Sequence, residues 1–304
     1  MRIVLTGQAA FAAQVLEALL KRGDQVVGVF TPPQPERAGP LKEAAEKRGI
    51  PLFQPARMRD PAVVEQFRSL KADLGVMAFV TDIVPGTVLR APRLGSIQYH
   101  PSLLPRHRGA SAINWAIMCG DTRTGLTIFW ADEGIDTGPI LLQKAMDIGP
   151  DDTLGSLYFN KLFPLGVEAM VESVSLVEQG KAPATPQDHS QATYEPPCGE
   201  EHAQVDWLRP LSQVYNIIRG TNPQPGATTL FRGQKLRLFD TASQPGGSAR
   251  DRPGEVTAVT EAGFTVACPG GAIVVKRVQP AGTGKVAAGQ WAREVGLKAG
   301  DRLG

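Results

Sequence analysis

Short apolar runs alternate with amphipathic segments along the first half of the chain, and this alternation constrains the fold more than any other feature. The apolar runs typical of buried strands are residues 2–6, 25–30, 73–78 and 94–99. The segments with a helical apolar face are residues 11–21, 40–48 and 63–70. Strands that alternate with helices predict a parallel sheet with right-handed crossovers. We therefore expect an α/β domain built on a Rossmann-like, mostly parallel sheet.

The composition changes after residue 180, which indicates a second domain. A chain of 304 residues exceeds the size at which one hydrophobic core stops growing, about 250–300 residues. Residues 181–202 are rich in proline and polar side chains, as in a linker. Short β runs separated by Gly and Pro turns follow, which favours a small β-barrel of the OB type. The predicted domains are residues 1–180 and 203–304, and one helix is expected over residues 153–179.

Several classes of function are disfavoured by the composition. The net charge of +2 is too small to indicate nucleic-acid binding by itself. Cys119, Cys198 and Cys268 are isolated, so neither a disulfide framework nor a metal site is expected, and a cytoplasmic location fits best. The turn after the first strand, residues 7–11, lacks the G-x-G-x-x-G spacing, so NAD is not expected.

Two polar residues follow predicted strands at positions suited to chemistry. His100 comes directly after the run 94–99 and begins a Pro-rich turn. Asp136 lies in a loop between two further β runs, residues 124–130 and 140–145. Each residue by itself is also a common turn former. Ligands of open α/β sheets bind at the carboxyl ends of the strands, so the two side chains are candidates for one site.

The segments around these residues resemble the formyltetrahydrofolate-dependent formyltransferase family. They read SIQYHPSLLPRHRG (residues 96–109) and FWADEGIDTGPILLQ (residues 129–143), and the likeness extends to PLFQP, TYE and IRGTNPQPGA. Within that family the chain looks most like the N-terminal hydrolase domain of 10-formyltetrahydrofolate dehydrogenase. It is also similar to methionyl-tRNA formyltransferase.

The resemblance implies that 10-formyltetrahydrofolate is the cosubstrate and that three residues are catalytic. Attack on a formamide carbon produces a tetrahedral oxyanion, whose stabilisation is commonly the largest catalytic contribution. His100 would donate a hydrogen bond to that oxyanion, and Asp136 would orient His100 and move the proton. Gln98 stands where the family's transferases usually have Asn, and its amide is the candidate for a second donor.

The resemblance also implies a folate-binding surface, with no metal. Its residues are Met77, Ala78, Phe79, Val80, Ile83, Ala131, Asp132, Glu133, Gly134 and Ile135. Core packing is an equally good interpretation of Met77 and Phe79. Arg106, His107 and Arg108 follow His100, and they indicate either contact with an anionic group or a solvated basic loop.

The formyl acceptor stays open between water, a small amine, a thiol and tRNA. The loop after the second strand reads TPPQPERAGPLKEA, with Arg37 and Lys42 but no Gly-Lys-Lys cluster. Because phosphate contacts supply most of the affinity for nucleic acids, tRNA is the less favoured acceptor. A member of another functional class, a folate-binding regulatory module without turnover, is the second alternative.

Overall fold

The computed structural model describes residues 1–33, 39–246 and 252–304, so Arg37 lies outside the described residues. The chain divides into two compact units. Unit 1 comprises Met1–Ala110, Gly125–Met146 and Asn160–Tyr194. Unit 2 comprises Ser111–Thr124, Asp147–Phe159 and Glu195–Gly304. Residues 181–194 of the predicted linker cluster with unit 1, and residues 195–202 cluster with unit 2.

Unit 1 is built on a seven-stranded sheet of the order β3-β2-β1-β4-β5-β6-β7. The strands are β1 (Arg2–Gly7), β2 (Gln25–Phe30), β3 (Leu52–Phe53), β4 (Leu74–Ala78), β5 (Ser96–His100), β6 (Arg123–Trp130) and β7 (Ile140–Asp147). The first five run parallel, and β6 pairs antiparallel with β5. The connecting helices are α1 (Ala9–Arg22), α2 (Pro40–Lys47), α3 (Pro61–Ser69) and α4 (Gly86–Leu89). The expected Rossmann-like, mostly parallel sheet is confirmed.

The strand order reverses between β1 and β4. The chain leaves β1 toward β2 and β3 and returns to β4 on the other side of β1. Two neighbouring crossovers that run in opposite directions leave a crevice at the carboxyl ends of the strands between them. The sheet therefore offers a binding site where β1 and β4 end.

The expectation of one continuous helix over residues 153–179 is wrong. The segment consists of α6 (Leu154–Leu157), a π-helical turn (Tyr158–Leu162) and α7 (Phe163–Glu178). Pro164 has no backbone N–H and stands in the first turn of α7, where it is tolerated, whereas the interior of a longer helix would lose a hydrogen bond there. Thr153 caps α6 through a reciprocal pair of hydrogen bonds with Ser156.

Unit 2 contains a six-stranded antiparallel sheet. Its strands are β8 (Ala227–Phe231), β9 (Gln234–Pro245), β10 (Val256–Thr260), β11 (Gly263–Cys268), β12 (Gly271–Pro280) and β13 (Val286–Ala287). Leu303 bridges to Phe231 of β8, and Arg302 bridges to Glu255 beside β10. The last residues thus connect the two edges of the sheet, which gives unit 2 its barrel-like form.

Helices cover the sheet of unit 2. They are α8 (Leu211–Gly220) and α9 (Ala288–Glu294), and α5 (Ala112–Met118) belongs to the same unit. Val214 and Ile218 of α8 and Trp291 of α9 are buried in the core that α8 and α9 form with the strands. Across the described ranges, none of the helices combines the length and apolar character needed to cross a bilayer.

Candidate active site

The structure brings His100 and Asp136 together. His100 is the last residue of β5, and Asp136 lies in the loop between β6 and β7. His100 Nδ1 is 3.5 Å from Asp136 Oδ2, and both side chains are buried, with 6% and 7% exposure. The distance is longer than an ordinary hydrogen bond. The two groups are close enough to act on the same substrate.

The other ring nitrogen of His100 is held by the main chain. His100 Nε2 is 2.7 Å from the carbonyl oxygen of His107. A carbonyl oxygen only accepts hydrogen bonds, so Nε2 carries a proton. Nδ1 is therefore the nitrogen that faces Asp136, as a lone pair in the neutral imidazole or as an N–H in the imidazolium.

The loop that provides the His107 carbonyl is fastened to the neighbouring strands. Ser102 Oγ donates to the Arg106 carbonyl oxygen at 2.6 Å. The Leu104 N–H donates to Thr127 Oγ1 on β6 at 3.1 Å. Gln143 Nε2 on β7 donates to the Leu104 carbonyl oxygen at 2.8 Å. These bonds hold the loop in the path that orients the imidazole.

Asp136 has a strained backbone that its neighbours restrain. Its φ of 56° lies in the left-handed region, which costs a non-glycine residue about 1–3 kcal/mol. The Gly109 N–H donates to Asp136 Oδ2 at 2.8 Å. Gln187 Nε2 donates to the carbonyl oxygens of Asp136 at 2.9 Å and Gly138 at 2.7 Å. Both the carboxylate and the backbone of Asp136 are therefore held.

Sequence reasoning missed Gln187 and misjudged part of the basic loop. Gln187 is buried, although it lies in the segment predicted as a linker. His107 and Arg108 are buried at 4% and 6% exposure, so the alternative of a solvated loop is wrong for both, and only Arg106 is exposed. A glutamine within a proline-rich segment carries no periodic signal, so the sequence offered no means of finding it.

Gln98 has a side-chain amide available for a ligand. It precedes His100 by two residues on β5, so both side chains point to the same face of the sheet. Gln98 is half-buried, and its amide has no hydrogen-bond partner among residues 1–33, 39–246 and 252–304. An amide with free donors on the face of His100 is available to a ligand.

Three of the residues predicted to bind folate expose large apolar side chains. Phe79 is 43%, Ile83 71% and Ile135 50% exposed. Arg90, which follows α4, forms an ion pair with the loop that carries Ile135, with Nη2 3.0 Å from Glu133 Oε1. Exposed large apolar side chains are typical of surfaces that bind a flat organic molecule.

The other predicted folate-binding residues differ in how much they expose. Met77 packs in the core with Val4 and Phe30, and Ala78 is fully buried, so only their backbone can meet a ligand. Val80 and Ala131 are half-buried, whereas Asp132, Glu133 and Gly134 are exposed. Asp132 Oδ1 accepts from the Gly134 N–H at 3.1 Å and from Thr137 Oγ1 at 2.7 Å, which shapes the loop before Asp136.

A cavity of about 160 Å³ lies where β1 and β4 end. Its polar lining includes Gln8, Thr31, Thr81 and Asp82, and neither His100 nor Asp136 lines it. Gln8 Nε2 donates to Thr81 Oγ1 at 3.2 Å, so two of the lining side chains are hydrogen-bonded to each other. Within the described ranges, the His, Cys, Asp and Glu side chains form no group that could hold a metal ion.

Comparison with known proteins identifies the family. Residues 1–174 match the family described as Formyl transferase, and residues 199–296 match Formyl transferase, C-terminal domain. The chain is an enzyme of the formyl transferase family. The resemblance found in the two motifs is thereby confirmed.

This formyl transferase is similar to curated proteins of two kinds. It is 46% identical over 272 residues to mitochondrial 10-formyltetrahydrofolate dehydrogenase of Mus musculus. This match covers 84% of this chain and 30% of the relative. The cytosolic protein of Xenopus laevis is 46% identical over 257 residues, with 83% and 28% covered. Methionyl-tRNA formyltransferase of Trichlorobacter lovleyi is 38% identical over 292 residues, with 94% and 91% covered. The chain thus spans about 30% of the length of the dehydrogenases.

Solved structures share the fold of this formyl transferase. HypX from Aquifex aeolicus, in complex with tetrahydrofolic acid, has a TM-score of 0.71 at 21% identity, with 98% of this chain and 48% of that chain covered. An N-formyltransferase from Helicobacter canadensis, in complex with folinic acid and dTDP-3-aminofucose, has a TM-score of 0.72 at 17% identity, with 92% and 99% covered. At these identities the likeness shows the fold alone.

Proposed function

We propose that this enzyme removes the formyl group of 10-formyltetrahydrofolate and passes it to water or to a small amine or thiol. The observation that carries the proposal is the 3.5 Å approach of His100 Nδ1 to Asp136 Oδ2, between two loops that carry the family's motifs. The catalytic residues are His100, Asp136 and Gln98. The family match and the similarity to 10-formyltetrahydrofolate dehydrogenases support the choice of donor.

The chemistry requires one proton to move from the nucleophile to N10 of the folate. The oxygen of water, or the amine or thiol of an acceptor, forms a bond to the formyl carbon and gives its proton to the Asp136 carboxylate. His100, as an imidazolium with Nε2–H held by the His107 carbonyl, donates from Nδ1 to the oxyanion, and Gln98 donates a second hydrogen bond. The C–N10 bond then breaks as N10 takes the proton from Asp136, which releases tetrahydrofolate.

The folate is held by apolar contact and by main-chain polar groups. Phe79, Ile83 and Ile135 expose the apolar area that a pterin and its benzoyl group would cover. Main-chain polar groups of residues 131–135 would bind the polar edge of the pterin. We assign neither NAD nor a metal to the reaction, and the free cysteines fit a cytoplasmic enzyme.

A second candidate is methionyl-tRNA formylation. It is favoured by a relative of that name that matches 94% of this chain and 91% of its own length. Against it, the loop after β2 lacks a basic cluster in the sequence, and the net charge is only +2. We therefore rank water or a small acceptor above tRNA.

We assign the donor chemistry to a domain of residues 1–180. Residues 181–202 join it to a second domain, residues 203–304, to which we assign the functions other than donor chemistry.

The test is tetrahydrofolate formation from 10-formyltetrahydrofolate by the purified chain. The donor is incubated alone, with small amines, with thiols, and with initiator Met-tRNA. Release without an acceptor identifies a hydrolase, and release that requires one class of acceptor identifies a transferase. Tight folate binding with no release in any arm would overturn the proposal in favour of a binding module. His100→Ala, which removes the imidazole, is expected to abolish release while folate binding persists.

A further inference from the structure

One segment fastens both loops of the candidate site. The strap, defined as residues 183–194, pairs with β7 through Thr185 and Ile140, with N–O distances of 2.9 Å and 2.7 Å. Gln187 then binds the loop of Asp136. Near the other end of the strap, Thr193 Oγ1 accepts from the His107 N–H at 2.8 Å. The same short segment therefore sets the paths of both loops.

The orientation of the Gln187 amide follows from its neighbour Arg108. Arg108 Nη2 lies 2.7 Å from the Gln187 oxygen and 3.0 Å from His189 Nδ1. A guanidinium group only donates, so the amide atom facing Arg108 is the oxygen. The NH₂ group must then face the carbonyl oxygens of Asp136 and Gly138, and each of its two protons has an acceptor.

The side chain at position 187 accepts a hydrogen bond from Arg108 and donates hydrogen bonds to two carbonyl oxygens. Glutamine is the one common side chain of this length that can make all three bonds. Glutamate would accept from Arg108 but would place a carboxylate oxygen against two carbonyl oxygens. Methionine has a similar length and would leave both carbonyl oxygens, and the Arg108 donor, without this partner. Asparagine is shorter by one methylene group and would not span from Arg108 to both oxygens.

Arg108 depends on this arrangement, because it is buried and Gln187 accepts one of its hydrogen bonds. The residue is 6% exposed, and Nε is buried without a hydrogen-bond partner in the described part of the chain. A buried charged group is stable only while its hydrogen-bond partners stay in position, and those of Arg108 Nη2 are Gln187 and His189. The contacts from Arg108 through Gln187 to the Asp136 backbone therefore form one connected unit.

From these contacts we infer that Gln187 is a positioning residue for the formyl transfer, acting through Asp136. It holds the left-handed backbone of Asp136 so that the carboxylate stays 3.5 Å from His100 Nδ1. The inference rests on the proposed function and adds a residue from outside both motifs. A displacement of about 1 Å in a catalytic group is enough to lower a rate by about 10²-fold.

The experiment compares Gln187→Met with Gln191→Met, a substitution of the same kind at an exposed position of the strap. Tetrahydrofolate release gives kcat and KM, and thermal unfolding reports the effect on stability. We expect Gln187→Met to lower kcat by about 10- to 100-fold, with KM for the folate within about threefold. Gln191→Met should match the parent. Gln187→Glu should also lower kcat, since it keeps the contact to Arg108 and loses the two carbonyl contacts.

A double-mutant cycle separates positioning from a general loss of stability. In the Asp136→Asn background, Gln187→Met should lower the residual rate by less than about twofold, because the group it positions has already been disabled. If the double variant loses the product of the two single-variant factors in kcat, the inference is overturned. A parental kcat in both Gln187 variants would also overturn it. If the parent itself releases no tetrahydrofolate, the proposed function fails, which is a different outcome.

Discussion

Replacing Asp136 by asparagine tests the site most directly, since the two side chains have nearly the same shape. The Gly109 N–H donates to Oδ2 at 2.8 Å, and the asparagine oxygen can accept the same bond. The backbone bond from Gln187 to the carbonyl oxygen of residue 136 is unaffected by the change. The variant therefore loses a negative charge and a proton acceptor while the loop keeps its restraints.

The expected loss has two sources. Removing a positioned general acid or base typically lowers a rate by about 10²- to 10⁴-fold, or about 2.7–5.4 kcal/mol. The attraction between the carboxylate and an imidazolium at the 3.5 Å separation of Asp136 and His100 is about 5 kcal/mol at an effective dielectric constant of 20, and the asparagine variant loses this support for the hydrogen-bond donor. Both effects lower the rate, so kcat of Asp136→Asn should fall by at least about 100-fold.

The assay is tetrahydrofolate formation under saturating 10-formyltetrahydrofolate, with folate binding measured separately by titration. Binding should stay within about threefold of the parent, because the apolar contacts of Phe79, Ile83 and Ile135 are unchanged. Asp206→Asn, an exposed position in unit 2, is the matched control and should keep the parental rate. A kcat of Asp136→Asn within about threefold of the parent would refute the catalytic role.

Three further predictions concern other residues. Gln98→Ala should lower kcat by about tenfold, the loss of one neutral hydrogen bond of about 1.4 kcal/mol, which is less than for Asp136→Asn, and a parental rate in the same assay would remove Gln98 from the site. Burial would raise the pKa of Asp24, but hydrogen bonds from Arg22 and the terminal ammonium outweigh it and lower this pKa. Asp24→Asn should cost about 3–5 kcal/mol of unfolding free energy at pH 7, and urea titrations should show the difference from the parent shrinking as the pH falls below about 4. Burial raises the pKa of Cys198 to about 11, so the exposed Cys119 should be alkylated first at pH 8, as read by peptide mass spectrometry; equal rates would contradict this.

The local pattern of apolar residues predicted the strands that carry the site. It failed where tertiary packing determines the local structure. The strand at residues 25–30 and the histidine at the end of β5 followed from apolar periodicity alone. The interrupted helix over residues 153–179 did not, because its π-helical turn depends on how Pro164 and its neighbours fit the surrounding structure. Phe79 is exposed and Met77 is in the core, although they lie two positions apart. On the sequence alone, both residues had the same two interpretations, folate contact or core packing.

The sequence by itself determined the class of sheet, the approximate strand ends and the two motifs, since hydrophobic periodicity and turn composition are local properties of the chain. Only the tertiary structure decided which nitrogen of His100 faces Asp136 and that Gln187, 51 residues farther along, holds the Asp136 backbone. Such contacts join loops whose paths depend on the packing of every strand between them. Their hydrogen bonds therefore become visible only when the chain has folded.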